Sequence, residues 1–138
     1  MASSKRQIVE TQAWAGYLAA THVPAAVRVG NRLLVTGHTG EDADEVYPPD
    51  AATQIRNTFA NVAETLAAAG SSWVDVVSVT SYHVGLAAQE EQLLAAASEF
   101  LTPPYPAWTA VGVAELWQGA LVEIACEAVL PDAPLTAP

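Results

Sequence analysis

The sequence is poor in basic residues and has no long apolar run. Its 138 residues include five lysines and arginines against fifteen aspartates and glutamates, which gives a formal net charge of −10. Such a charge repels a phosphate backbone, so nucleic acid is not an expected partner. No stretch approaches the ~18–20 consecutive apolar residues that a membrane-spanning helix needs, and we expect no membrane association.

Cysteine is almost absent as well. The single Cys126 excludes an intrachain disulfide and gives no sign of an oxidising compartment. The first residues lack the apolar core of a secretory signal, so the expected location is the cytoplasm. His22 and His83 have no partners at the spacing of metal ligands, and we expect neither a metal site nor another cofactor.

Apolar residues, by contrast, are abundant. They make up 51% of the chain, whereas charged residues make up 14%. The length suits one domain with a single core, so residues 1–138 are predicted to form one domain. Its core is expected over about residues 23–130, with a peripheral N-terminal segment and a peripheral proline-rich C-terminal tail. The apolar content exceeds what a small monomer buries, which predicts a subunit interface.

The pattern of apolar residues predicts the element order β-β-α-β-α-β-β. Apolar runs on either side of Gly30-Asn31 indicate a hairpin. Apolar residues three and four apart follow Asp50, a suitable helix cap, and Gly70 suits the end of that helix. The predicted strands cover 27–29, 33–36, 73–84, 108–113 and 121–129, and the helices cover 50–70 and 88–101. This order is typical of an α+β fold with two helices on one face of a sheet.

The last strand has two different faces. One face carries Val122, Ile124, Cys126 and Ala128, and the other carries the acids Glu123 and Glu127. The apolar face is expected to lie under the helices. The mixed face is where we expect subunits to meet and a pocket to form.

Three segments form a recognisable combination. They are residues 27–38, Gln54 with Asn61 and Ala69-Gly70, and Tyr105-Pro106-Ala107-Trp108-Thr109 followed by residues 120–124. Together they resemble the RidA/YjgF family, over about residues 23–129. The resemblance implies a chorismate-mutase-like fold and a homotrimeric barrel with clefts between subunits. Typical members hydrolyse imines and enamines made from amino acids, releasing ammonia and a keto acid.

The resemblance also implies which residues form the site. Glu123 corresponds to a glutamate that positions or activates water, and Gly37 corresponds to a turn glycine. Trp108 stands where the family has an arginine that holds the substrate carboxylate, and His38 replaces a glutamine. Because an indole offers one neutral N–H and an apolar surface, we expect weak deamination of iminoacids and a preference for neutral or cationic substrates.

Two residues are predicted to be catalytic. Glu123, in a mostly apolar cleft, is expected to have a raised pKa and to exchange protons with water or an imine nitrogen. His38 is a second candidate for a general acid or base. The predicted substrate-binding residues are Trp108, Gly37, Thr109, Tyr82 and Trp117. Structural alternatives stay open: an ion pair for Glu123, a turn cap for His38, and packing for the tryptophans.

The predicted function is hydrolytic deamination of a small imine or enamine at an intersubunit cleft. Two alternatives remain. The same acid or base could catalyse dehydration, tautomerisation or cyclisation of a related compound. The chain could instead form a non-catalytic ligand-binding or chaperone-like trimer that uses an exposed apolar cleft.

Overall fold

The computed structural model describes residues 5–131 as one mixed sheet with helices. The strands are β1 (Gln7–Val9), β2 (Ala26–Val29), β3 (Arg32–Thr39), β4 (Val76–His83), β5 (Ala107–Gly112) and β6 (Val122–Val129). The helices are α1 (Ala15–Thr21), α2 (Ala51–Ala68) and α3 (Leu86–Phe100), with 3₁₀ turns at Trp73–Asp75 and Trp117–Gly119. The predicted α+β fold is confirmed, whereas the trimeric barrel stays a prediction.

The sheet has the strand order β1-β2-β3-β6-β4-β5. All neighbours are antiparallel except β4 and β5, which are parallel. Residues of α2 and α3 share one buried cluster with the strands, so both long helices cover the same face of the sheet. We call this the helix face and the opposite one the open face.

Two differences from the predicted elements have local causes. The run that begins at Trp73 starts as a 3₁₀ turn because the Ser72 hydroxyl accepts a hydrogen bond from the Val74 N–H, and strand β4 therefore begins three residues later than predicted. The N-terminal segment adds β1 to the edge of the sheet, with Ile8 opposite Val27. The short helix α1 follows it.

Helix α2 anchors the core. Asp50 caps it by accepting a hydrogen bond from the Thr53 N–H at 2.9 Å, as predicted. Its Phe59 is fully buried, and the Phe59 ring centroid lies 5.2 Å from those of both Trp73 and Phe100. The predicted alternation of β6 is confirmed, because the side chains of one set are buried against the helices: Val122, Ile124, Cys126 and Ala128.

A β-bulge in β3 changes which side chains reach each face. Val35 pairs with Cys126 and His38 pairs with Ile124, so both Thr36 and Gly37 lie opposite Ala125. The extra residue reverses the alternation of the strand beyond this point. As a result, His38 turns to the helix face, and Gly37 and Thr39 turn to the open face.

Residues 5–131 include no helix with the length and apolar character that crossing a membrane requires.

Replacing Phe59 by alanine should lower the free energy of unfolding by about 3–5 kcal/mol, because it empties the centre of the core. Denaturant unfolding at a fixed protein concentration measures this. The matched control is Val74→Ala, since Val74 is 74% exposed and its loss should change stability by less than about 0.5 kcal/mol. Equal effects of the two substitutions would contradict this description of the core.

Candidate functional site

The Glu123 carboxylate lies directly over the backbone of Gly37 on the open face. A Cβ atom added at Gly37 would lie 2.7 Å from Cδ of Glu123, so a larger residue here would push the Glu123 side chain out of this position. Glu123 is half-buried, and this burial raises the pKa of its carboxyl group above the ordinary value. The structure therefore brings together these two residues of the predicted site.

Three polar residues that the sequence analysis did not single out stand beside Glu123. Thr39 is its cross-strand neighbour on β3. The Thr39 hydroxyl donates to the Glu41 carboxylate at 2.5 Å and lies 2.9 Å from the Tyr47 hydroxyl. Because the Thr39 proton goes to Glu41, the Tyr47 hydroxyl is the donor in its contact with Thr39. A lone pair of the phenol oxygen is left for another donor.

The surroundings of Tyr47 raise the pKa of its phenol above the ordinary value. Burial is the main cause, the hydrogen bond with Thr39 offsets part of it, and the nearby Glu41 and Glu123 carboxylates add to the rise. The Asn61 side-chain amide holds the loop in place by donating to the Thr39 and Glu41 carbonyls at 2.9 and 3.1 Å. The acidic loop after Gly40 thus supplies part of the site.

Two predicted binding residues also lie on the open face. Tyr82 on β4 is directly opposite Glu123 on β6. Thr109 on β5 pairs with Thr80, which in turn pairs with Ala125, so Thr109 is two strands away from the last strand. Trp117 lies apart from them in the 3₁₀ turn before β6 and is 61% exposed.

His38 is not close to this group, because the bulge turns it to the helix face. Its Nδ1 lies 2.6 Å from the Thr36 carbonyl and its Nε2 lies 2.8 Å from the Thr65 hydroxyl. Since a carbonyl only accepts, Nδ1 carries the proton and Nε2 accepts from Thr65. Burial lowers the pKa of His38 to about 4, and the bond to Thr36 offsets this only in part. The catalytic role predicted for His38 finds no support in this position.

Trp108 also lies on the helix face. It pairs with the buried Val79, and its ring centroid is 5.9 Å from that of Phe59. The indole N–H donates to the Ser81 hydroxyl at 2.8 Å, and the Ser81 hydroxyl lies 2.8 Å from Nε2 of His83. Trp108 is therefore half-buried, on the opposite side of the sheet from Glu123.

A buried hydrogen-bond chain fixes the orientation of the indole. Nδ1 of His83 lies 2.9 Å from Oε1 of Gln89, and the Gln89 amide nitrogen donates to the Val84 and Leu121 carbonyls. Those two carbonyls fix which end of the Gln89 amide is oxygen, so His83 donates from Nδ1 and accepts at Nε2 from Ser81. Ser81 in turn accepts from Trp108. Each side-chain donor and acceptor in this hydrogen-bond chain, from Trp108 to Gln89, thus has a partner of the correct kind.

An open cavity of about 450 Å³ lies beside Trp108, between α3 and β5. We call it the indole pocket, and its lining residues are Leu86, Glu90, Leu93, Leu94, Trp108 and Ala110. The candidate site thus has two separate parts. One is the Glu123 group on the open face, formed by Glu123, Gly37, Thr39, Glu41 and Tyr47, and the other is the indole pocket on the helix side.

The described part of the chain does not bring together three or more histidine, cysteine, aspartate or glutamate side chains that could hold a metal ion. Cys126 is buried, and this burial raises the pKa of its thiol to about 12. The thiol is therefore protonated at neutral pH and is a poor nucleophile.

Comparison with known proteins identifies the scaffold. A family model described as "Endoribonuclease L-PSP" matches residues 15–130. The chain belongs to the RidA/YjgF family. The RutC family protein YjgH of Escherichia coli (strain K12) is 44% identical over 90 residues, 64% of this chain and 69% of that protein. A solved structure of a protein named YJGH has a TM-score of 0.82 at 36% identity, covering 94% of this chain and all of the other.

A further relative carries an enzyme name. The 2-iminobutanoate/2-iminopropanoate deaminase of Dermatophagoides farinae is 31% identical over 101 residues, which is 72% of this chain and 78% of that protein. The resemblance predicted from the sequence is confirmed at the level of the family.

We expect His38 to remain neutral in the folded protein until about pH 4. Because this pKa lies below the ordinary value of 6.5, the unfolded chain binds the proton more readily. The contribution of His38 to stability should be complete above about pH 6.5 and lost as the pH falls towards 4. Nitrogen-detected NMR titration measures the pKa. His38→Gln should remove this part of the pH dependence of unfolding, and an imidazole that titrates near pH 6.5 would contradict the structure.

Proposed function

We propose that this protein is an enzyme that hydrolyses small neutral or cationic imines and enamines, with Glu123 as the catalytic acid and base. The observation that carries the proposal is the half-buried Glu123 carboxyl over Gly37, with its pKa raised by burial. A carboxyl group whose pKa is raised by burial holds a proton more readily than an exposed one and can return it to a bound substrate. The similarity to a deaminase of 2-imino acids supports C=N hydrolysis as the reaction type.

The proposed reaction needs one proton shuttle. Glu123 takes a proton from water as the oxygen adds to the imine carbon, and the nitrogen becomes an amine as it gains that proton. Glu123 then moves the proton of the new hydroxyl group to this amine, the C–N bond breaks to release ammonia, and a carbonyl product remains, so the reaction consumes one water for each ammonia released. The free lone pair of Tyr47 could accept a bond from the substrate N–H, which makes Tyr47 a candidate positioning residue.

A site that uses both Glu123 and Trp108 must be shared between two copies of the chain. The two side chains lie on opposite faces of the sheet, so no single protomer presents them to one substrate. The open face has the apolar surface that such an assembly would bury, since Leu34 is 42% and Val129 41% exposed there. We therefore propose the homotrimer that the family resemblance implies, with its sites between subunits.

The charge distribution does not favour a role in binding or cleaving RNA, in spite of the family's description. The chain has only five lysines and arginines. Arg32 forms an ion pair with Glu127, and Arg56 forms one with Glu99 at 3.2 Å. A basic surface that could bind a phosphate backbone is therefore not expected.

Turnover should depend on Glu123 and on the charge of the substrate. With a neutral imine, Glu123→Gln should lower kcat at least about 100-fold, because the amide cannot shuttle a proton. With 2-aminoacrylate, the unaltered enzyme should be slow and Trp108→Arg should be faster, because a guanidinium binds the carboxylate. A coupled assay of ammonia release measures both. Equal rates of 2-aminoacrylate turnover before and after Trp108→Arg would remove the argument for altered specificity.

Mixed oligomers test whether the site is shared. Glu123→Gln removes the catalytic group, and Ala110→Phe fills the indole pocket, so each variant alone should be inactive. If the two halves come from different subunits, random 1:1 reassembly leaves about one site in four intact and should restore about a quarter of the activity. Refolding the variants together and assaying ammonia release measures this, and no recovery would show that Glu123 and the indole pocket do not form one site between subunits.

A further inference from the structure

The indole pocket has a single kind of charge among its lining residues. Glu90 on α3 is the charged member, and Leu86, Leu93, Leu94 and Ala110 supply apolar surface beside Trp108. An open cavity of about 450 Å³ can hold a small organic molecule. A ligand inside it would meet a carboxylate at one side and apolar groups over most of its surface.

Trp108 can offer such a ligand only its ring. Its N–H is already used, since it donates to Ser81 at the start of the buried chain through His83 and Gln89. The indole therefore has no free donor for an anion, and only its carbon ring is left to contact a ligand in the pocket. The face of an aromatic ring attracts cations, and a tryptophan ring does so most strongly among the aromatic side chains.

Taking these two features together, we infer that the indole pocket selects a substrate with a positively charged, apolar body, such as an alkylated ammonium or iminium group. Glu90 supplies the opposite charge and Trp108 supplies the aromatic surface. The same carboxylate would repel a substrate that carries its own carboxylate. Glu90 is then the residue that sets charge specificity. This inference rests on the proposed function only in taking the pocket as the substrate-binding half of the site.

Three probes of nearly equal shape and different charge test the inference. They are choline, the uncharged 3,3-dimethylbutan-1-ol and the anion 3,3-dimethylbutanoate. Isothermal titration calorimetry on the full-length protein should give the lowest Kd for choline and the highest for the anion. Ala110→Phe should weaken the binding of choline at least tenfold, because the phenyl group fills the cavity. Binding that survives this substitution unchanged would place the ligand elsewhere and overturn the inference.

Two isosteric variants separate the effect of Glu90 from that of net charge. Glu90 is exposed, so water screens its charge, and Glu90→Gln should raise the Kd for choline about threefold and leave the Kd for the alcohol unchanged. Glu91→Gln is the matched control, because Glu91 is the next residue on α3, is exposed and does not line this pocket. Equal losses in the two variants, or equal affinities for choline and the alcohol in the unaltered protein, would overturn the inference.

These measurements test the inference separately from the proposed function, because they record binding without turnover. If Glu123→Gln leaves imine hydrolysis unchanged while choline still binds through Glu90, the proposed chemistry is wrong and the charge selectivity stands. If hydrolysis depends on Glu123 but the probes show no charge order, the charge selectivity is wrong and the chemistry stands.

Discussion

The position of the Glu123 group depends on one constraint, the β-bulge at Thr36 and Gly37. Two residues of β3 lie opposite the single Ala125 of β6, so the alternation of β3 reverses there. This reversal places the bare backbone of Gly37 under the Glu123 carboxylate and sets Thr39 beside it. It also turns an imidazole into the core. A regular strand would exchange these positions and put His38 next to Glu123.

Burial then gives each ionisable group a different task. His38 is enclosed and has partners on both ring nitrogens, so it stays neutral and stabilises the packing of β3 against α2. Glu123 is only half-buried, and its carboxyl remains open to solvent and to a ligand while its pKa rises. Of the two groups, Glu123 is thus the one that is accessible from the open face.

The two halves of the candidate site are supported by different means. In the Glu123 group, Glu41 and Tyr47 lie on the loop after β3. The Asn61 side chain on α2 stabilises this loop by donating to the Thr39 and Glu41 carbonyls. The indole N–H of Trp108 donates to the Ser81 hydroxyl, which in turn lies within hydrogen-bond distance of His83, so the N–H points into the protein. Because these polar side chains have hydrogen-bond partners, their orientations are fixed before any ligand binds. A shared site would therefore be formed by docking two surfaces that are already ordered.

Local pattern in the sequence determined the main elements, because apolar periodicity and capping residues act over a few positions. The cap at Asp50 and the alternation of β6 follow from neighbouring residues, and the family resemblance follows from short motifs in three separate segments. The same resemblance also predicted that Glu123 and Gly37 belong to one site. Tertiary structure decided the rest. The bulge exists only where β3 meets β6, so the sequence did not show that His38 lies on the helix face. The roles of Tyr47 and Glu41 depend on a loop that folds back over the sheet, which spacing along the chain does not encode.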